Sequence, residues 1–143
     1  MDLQSADEAL ALLAEHLALV TYSRNVENPR AIVAVDEVVA TITGFEADSY
    51  TRDPELWLSR VHPIDQVHVL QALDTLLSEG TCTWAYRWQT AAGTYQWCRD
   101  VARRVPSADG VAARIEGAWQ LLGEEAAKDA HGSDVGATAS AAN

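Results

Sequence analysis

The chain has 143 residues, the size of one domain with one core, and 48% of them are hydrophobic. Ten basic residues against 21 acidic ones leave a net charge of −11. A surface that negative repels phosphate backbones and anionic lipid headgroups, which argues against nucleic-acid and membrane-surface binding.

No apolar run approaches the ~20 residues of a membrane span. Met1-Asp2-Leu3-Gln4 lacks the basic start of a secretory signal, so a cytoplasmic location is expected. Cys82 and Cys98 stand in no Cys-x-x-Cys pair and at no metal-ligand spacing from a histidine. They are read as ordinary strand residues, and no metal site is expected.

Ser5-Ala6-Asp7-Glu8 fits a capping box, and Leu10, Leu13 and Leu17 follow at i, i+3 and i+7. An N-terminal amphipathic helix is therefore predicted over residues 1–18, with a stripe that must cover this domain's sheet or a partner's helix. Leu19 to Ser23 and Ala31 to Val35 are rich in β-formers around the polar turn Asn25 to Pro29, which predicts a strand pair. Glu37 to Thr43 reads as a short helix stopped by Gly44. Asp53-Pro54-Glu55 opens a second one leading into Leu56-Trp57-Leu58.

Asp65 is expected to cap the longest internal helix, which runs to Glu79 with Gly80 as its stop and Val69, Leu73, Leu76 and Leu77 as its buried face. Beyond Gly80 the period changes to alternation, so Trp84, Tyr86 and Trp88 share one face of a strand. Ala92-Gly93 turns the chain into a strand from Tyr95 to Val105. Asp109-Gly110 turns it again into Arg114 to Leu122, with Ile115, Gly117 and Trp119 on one side. Residues 124–143 are mostly small and polar and are expected to be a disordered tail or linker.

The fold class is thus α+β, with a core domain over 19–123 built on a five-stranded antiparallel sheet. Thr43-Gly44-Phe45, Asp53-Pro54-Glu55-Leu56-Trp57-Leu58 and His62-Pro63-Ile64-Asp65 resemble the PAS family, in its variant with a Trp-Leu-x-x-x-His-Pro segment. Tyr86-Arg87, Gly93-x-x-x-Trp97, Asp109-Gly110 and Ile115-Glu116-Gly117 follow in that family's order, so the resemblance spans Leu17 to Leu122.

The resemblance implies a PAS fold: short helices on one face of the sheet, a ligand or cofactor pocket between them, and an N-terminal helix or second protomer on the other face. It also implies a sensory signalling module of the kind found in bacterial sensor kinases, two-component systems and cyclic-dinucleotide signalling proteins. The chain departs from the family at Leu121-Leu122-Gly123-Glu124-Glu125, where an Asp-Ile-Thr-like link to an output helix is usual, and at Ala92-Gly93, where Asp-Gly is common.

By that resemblance Trp84, Tyr86, Trp88 and Trp119 face the helices, with Phe45, Trp57, Val69 and Leu73 around them. These residues either line a pocket for a small apolar or aromatic ligand or fill the core themselves. Tyr95 and Trp97 fall on the opposite face, where the Leu10, Leu13 and Leu17 stripe would cover them within one chain or, the favoured reading, in a homodimer. His68 is expected at a helix boundary and His62 as a brace of the turn before Asp65.

No Cys precedes the long helix, so the flavin photocycle of light-sensing relatives is set aside, and no other cofactor is indicated. No nucleophile elbow, phosphate loop or zinc spacing is present, so the expected function is non-enzymatic. It is either a module that binds a small molecule in its core or dimerises to control an output partner, or a ligand-free interaction module with a solid core. An isomerase or hydrolase on a similar sheet is the remaining reading.

Overall fold

The computed structural model describes residues 8–10, 12–13 and 16–123. Ser5 of the expected capping box and the expected tail at 124–143 lie outside the described residues. Residues 8–10, 12–13 and 16 are helical and lead into the first strand.

Five strands form one antiparallel sheet: β1 (Leu19–Arg24), β2 (Ile32–Val35), β3 (Thr81–Gln89), β4 (Tyr95–Val105) and β5 (Arg114–Leu121). Their spatial order is β2-β1-β5-β4-β3, so the first and last strands of the domain meet at its centre. Between β2 and β3 run α1 (Val39–Thr43), α2 (Ala47–Arg52), α3 (Leu56–Ser59), a 3-10 turn (Pro63–Asp65) and α4 (Gln66–Glu79). The α+β PAS fold expected from the sequence is the fold observed.

Alternation decides which side of each strand meets the helices. In β3, Trp84, Tyr86 and Trp88 are buried, and in β4 the buried set is Cys98, Asp100 and Ala102. Val69, Ala72, Leu73 and Leu76 of α4 close over that face, while Leu77 is only half-buried. Gly80 ends α4 at φ +91°, a backbone region that costs side-chain-bearing residues dearly. Asp109 (φ +50°) and Gly110 (φ +78°) make the tight turn between β4 and β5, where Ala108 and Val111 exchange both backbone hydrogen bonds.

Two expectations are corrected, and one helix was not expected. The residues around Tyr50, which carry no apolar stripe, form α2; its burial rests on Tyr50 alone. The helix expected from Glu37 begins at Val39, because Asp36 Oδ1 accepts from Val38 N–H in a turn. Asp65 precedes α4 but makes no capping bond. Its carboxylate is taken by Arg87: Oδ2 accepts from Arg87 N and Nε at 2.9 Å each, and Oδ1 from Nη2 at 2.7 Å. A two-pronged guanidinium outcompetes a helix amide for a carboxylate.

Candidate functional site

The segment from Trp57 to Asp65 is stitched to β3 before α4 begins. Trp88 Nε1 donates to Trp57 O (2.9 Å), Arg60 donates to Gln89 O and Thr90 O (2.7 and 2.9 Å), and His62 N donates to Arg87 O (2.9 Å). His62 Nδ1 accepts from Ile64 N–H, bracing the turn as expected. His68 is half-buried at the edge of α4. The Trp-Leu-x-x-x-His-Pro segment is therefore a clamp that fixes where Trp57 enters the core.

Inside, the aromatic residues expected to share a face do so. Trp88 meets Trp119 edge-on at 4.7 Å between ring centres, and Tyr50 stacks on Trp88 at 6.4 Å. Trp57 meets Tyr86 edge-on at 5.7 Å, and Trp84 stacks on Tyr86 at 6.5 Å. Trp57, Val69, Leu73, Trp84, Tyr86, Trp88 and Trp119 are each no more than 2% exposed. A water-sized space beside them would show as exposed area, so these side chains fill the room between sheet and helices themselves. Phe45 sits at the rim, half-buried, with Arg60 over its ring at 4.7 Å.

At the β1 end the core turns polar. Arg24 and Asp100 face each other with both side chains wholly buried, Nη2 lying 3.7 Å from Oδ2. Tyr22 donates to Asp100 Oδ1 at 2.5 Å and Tyr86 to Oδ2 at 2.9 Å, while Trp57 Nε1 donates to Tyr86 Oη at 3.1 Å. The Arg24 guanidinium lies 3.8 Å from the Trp57 ring and 4.6 Å from the Tyr22 ring, and Nη1 donates to Pro29 O at 3.0 Å. Burial pushes the Asp100 carboxyl up to about 6, against the opposing pull of Arg24 and the two tyrosine bonds. Burial also holds the Tyr22 and Tyr86 phenols well above their ordinary range.

Neither Arg24 nor Asp100 was singled out in the sequence. The signal was present: once Trp97 is placed outward, parity places Cys98, Asp100 and Ala102 inward. Gly117 supplies the passage. Tyr22 on β1 must cross β5 to reach Asp100 on β4, and it does so over Gly117, its register partner.

On the outer face, Trp97 is half-buried and Tyr95 is 37% exposed. The Arg87 guanidinium stands 5.2 Å from the Trp97 ring, and Tyr95 packs on His62 at 4.8 Å. Leu10, Leu13 and Leu17 are 63%, 53% and 44% exposed, so within one chain the stripe does not bury itself on the sheet. Two shallow hollows of about 420 and 330 Å³ flank β5 on this side, meeting at Glu116 and Gly117.

Among the described residues no cluster of His, Cys, Asp or Glu suits a metal ion, and no helix is long and apolar enough to cross a membrane. Residues 32–119 match the sequence profile of the family described as PAS fold. No curated protein matches the chain.

Among solved structures, the chain is similar to the N-terminal domain of a diguanylate cyclase with PAS/PAC sensor from Marinobacter aquaeolei. Identity is 22%, covering 75% of this chain and 97% of that one, with a TM-score of 0.63. It is also similar to a sensory box histidine kinase/response regulator from Burkholderia thailandensis (20% identity, 89% and 93% covered, TM-score 0.62). A third similarity is to Drosophila melanogaster Cycle PAS-B with bound ethylene glycol (11% identity, 71% and 98% covered, TM-score 0.60).

Proposed function

The chain belongs to the PAS-fold family, and from that premise we propose that it is a sensory-regulatory module that acts by pairing with a second copy of itself. The observation that carries this reading is the apolar stripe: Leu10, Leu13 and Leu17 stand 44–63% exposed just before β1. The outer sheet face is also open, with Val101 45% exposed. Contiguous apolar surface of this kind on a soluble chain marks an interaction face. Burying a leucine completely is worth about 1.5–3 kcal/mol, so three on each protomer supply a strong drive to associate.

Two further features fit. The helical segment enters β1 through Ala18 at φ +52°, a strained joint for a residue with a side chain. Leu121 N donates to Ala18 O and Gln120 Nε2 to Leu17 O, so the joint is tied to β5 at the sheet's centre. A change of sheet packing would reach the pairing helix through this joint.

The sealed aromatic core supports a module whose large side chains serve packing, as the ligand-free reading expects. The test is sedimentation velocity at tens of micromolar protein. The wild-type chain is expected to sediment as a dimer and Leu13→Glu as a folded monomer. A wild-type monomer, or a dimer indifferent to Leu13→Glu and Trp97→Ala, overturns the reading.

A further inference from the structure

β3 is one edge of the sheet, and its backbone is used unevenly. Gly80 O accepts from Arg104 N on β4, and the register with β4 runs without a slip from Thr81 to Gln89. In an antiparallel ladder successive residues turn their N–H and C=O groups to opposite sides. The even-numbered residues of β3 therefore serve β4, and the odd-numbered ones face away from the sheet.

Arg87 and Gln89 find partners on that side in the preceding segment. His62 N donates to Arg87 O, Gln89 N to Arg60 O, and Arg87 N to Asp65 Oδ2. Thr81, Thr83 and Ala85 have no such cover among the described residues. Thr83 O meets the Cys82 thiol at 3.9 Å, a weak donor, and no backbone group pairs with any of the three on that side. Open edges invite pairing, and proteins usually blunt them with charge, proline or shortness. The opposite edge follows that rule: β2 has four residues, and α2 packs against it. Thr81 to Tyr86 carry neither charge nor proline, and Thr81 and Thr83 are exposed.

We propose that this edge of β3 joins the same edge of a second copy, antiparallel across a two-fold axis, so that two sheets run on as one. The surface is separate from the leucine stripe, so the proposal goes beyond the pairing reading and does not rest on it.

The occupant follows from the edge itself. Alternating donors and acceptors make a strand edge complementary to its own copy about a two-fold axis. The register that sets Thr83 opposite Thr83 also sets Thr81 opposite Ala85, and it uses all three open positions of both chains. Facing threonines are a favourable cross-strand pair. The ends fit as well: Gly80 turns one chain into α4 just before the other chain's edge is taken up at Arg87 by the segment from Arg60 to Asp65. This register brings the exposed Glu79 of one copy toward Arg87 of the other, where Asp65 takes Nε and Nη2 and leaves Nη1.

Three residues a side make a small interface, so pairing through β3 is weak by itself and adds to association made elsewhere. The net charge of −11 on each chain opposes it, and salt therefore strengthens it.

The experiment follows amide exchange and sedimentation of the full chain from tens of micromolar to millimolar, at low and high salt. The Thr83 and Ala85 amides are expected to gain protection as concentration rises, more so at high salt, while species larger than the dimer appear. Thr83→Lys sets like charges opposite each other and is expected to weaken this step about tenfold, leaving the dimer in place. Ala85→Pro removes an edge-facing N–H without touching the β4 ladder and is expected to do the same; if it does not fold, Thr83→Lys carries the comparison. Leu13→Glu should lose the helix-made dimer yet keep the concentration-dependent protection at Thr83 and Ala85, which separates the two surfaces. Three results overturn the proposal: exchange at Thr83 and Ala85 that is independent of concentration, full protection of both in dilute Leu13→Glu, or larger species indifferent to Thr83→Lys.

Discussion

Gly117 is the residue on which the buried polar knot turns, and Gly117→Ala tests that claim. A Cβ at Gly117 would lie 2.4 Å from both Cζ and Oη of Tyr22 and 2.9 Å from the Val101 carbonyl oxygen. Neither neighbour yields easily: the Tyr22 side chain is only 5% exposed, and the carbonyl belongs to the β4–β5 ladder. The ring must move about an ångström to restore contact distance, which takes its hydroxyl off Asp100. Overpacking costs about 1–3 kcal/mol and a lost hydrogen bond to a charged group about 1.5–3 kcal/mol. The expected loss is therefore about 3–5 kcal/mol, a large share of the 5–15 kcal/mol typical of a domain. Urea unfolding followed by tryptophan fluorescence measures it. In a Tyr22→Ala background only the Val101 carbonyl contact remains, so the same substitution should cost less by the worth of the Tyr22–Asp100 bond, about 1.5–3 kcal/mol. A loss below about 1 kcal/mol in the wild-type chain, or equal losses in both backgrounds, refutes the reasoning.

Asp100 gives the domain an unusual pH dependence. Its folded pKa of about 6 lies above the ~3.9 of an unfolded Asp, so the folded state binds the proton more tightly. Stability should thus rise as pH falls from about 7 to about 4, by up to about 3 kcal/mol, and Asp100→Asn should flatten that rise in thermal unfolding scans. Asp65 is shifted the other way: burial opposes it, but the Arg87 bonds hold its carboxyl below the ordinary value, so its contribution is lost only at lower pH. Arg24→Met leaves the Asp100 charge buried alone and is expected to cost about 3–5 kcal/mol, and adding Asp100→Leu should recover most of it. A double variant no better than Arg24→Met would show that the pair is not the cause. Asp65→Ala removes three bonds between the pre-α4 turn and β3. It should cost about 1.5–3 kcal/mol and speed amide exchange at Arg87, and an unchanged Arg87 amide would count against the clamp.

Most of the fold was legible because its signals are local. Gly80 and Asp109-Gly110 mark turns by backbone requirement, and α4, β3, β4 and β5 lie within a residue or so of where their periodicity puts them. What failed was also local in origin. The segment Ala47–Arg52 buries one tyrosine, whose hydroxyl bonds to Thr43 Oγ1 at 2.8 Å, and a helix held by one anchor carries no periodic pattern. Asp65 looked like a cap because an acid before an apolar run usually is one. Its real partner lies 22 positions away, and spacing rules within a helix cannot see it.

The aromatic half of the candidate site was legible for the same reason, since bulky residues at every second position of β3 can face only one way. The polar half was not, and the cause is physical. A buried charge is tolerable only when its partners converge, and here they come from β1, β3, β4 and α3, across a glycine that matters for the atoms it lacks. No single stretch of sequence carries that convergence. Parity in β4 nevertheless singles out Asp100 as a charge turned inward, and parity in β1 does the same for Arg24 beside Val20 and Tyr22. An acid and a base, each at an inward position of a central strand, imply each other, because either alone would cost the fold about 3–5 kcal/mol. Pairing strands first and then asking which inward charges need a partner turns alternation, a rule about hydrophobic faces, into a means of locating polar sites.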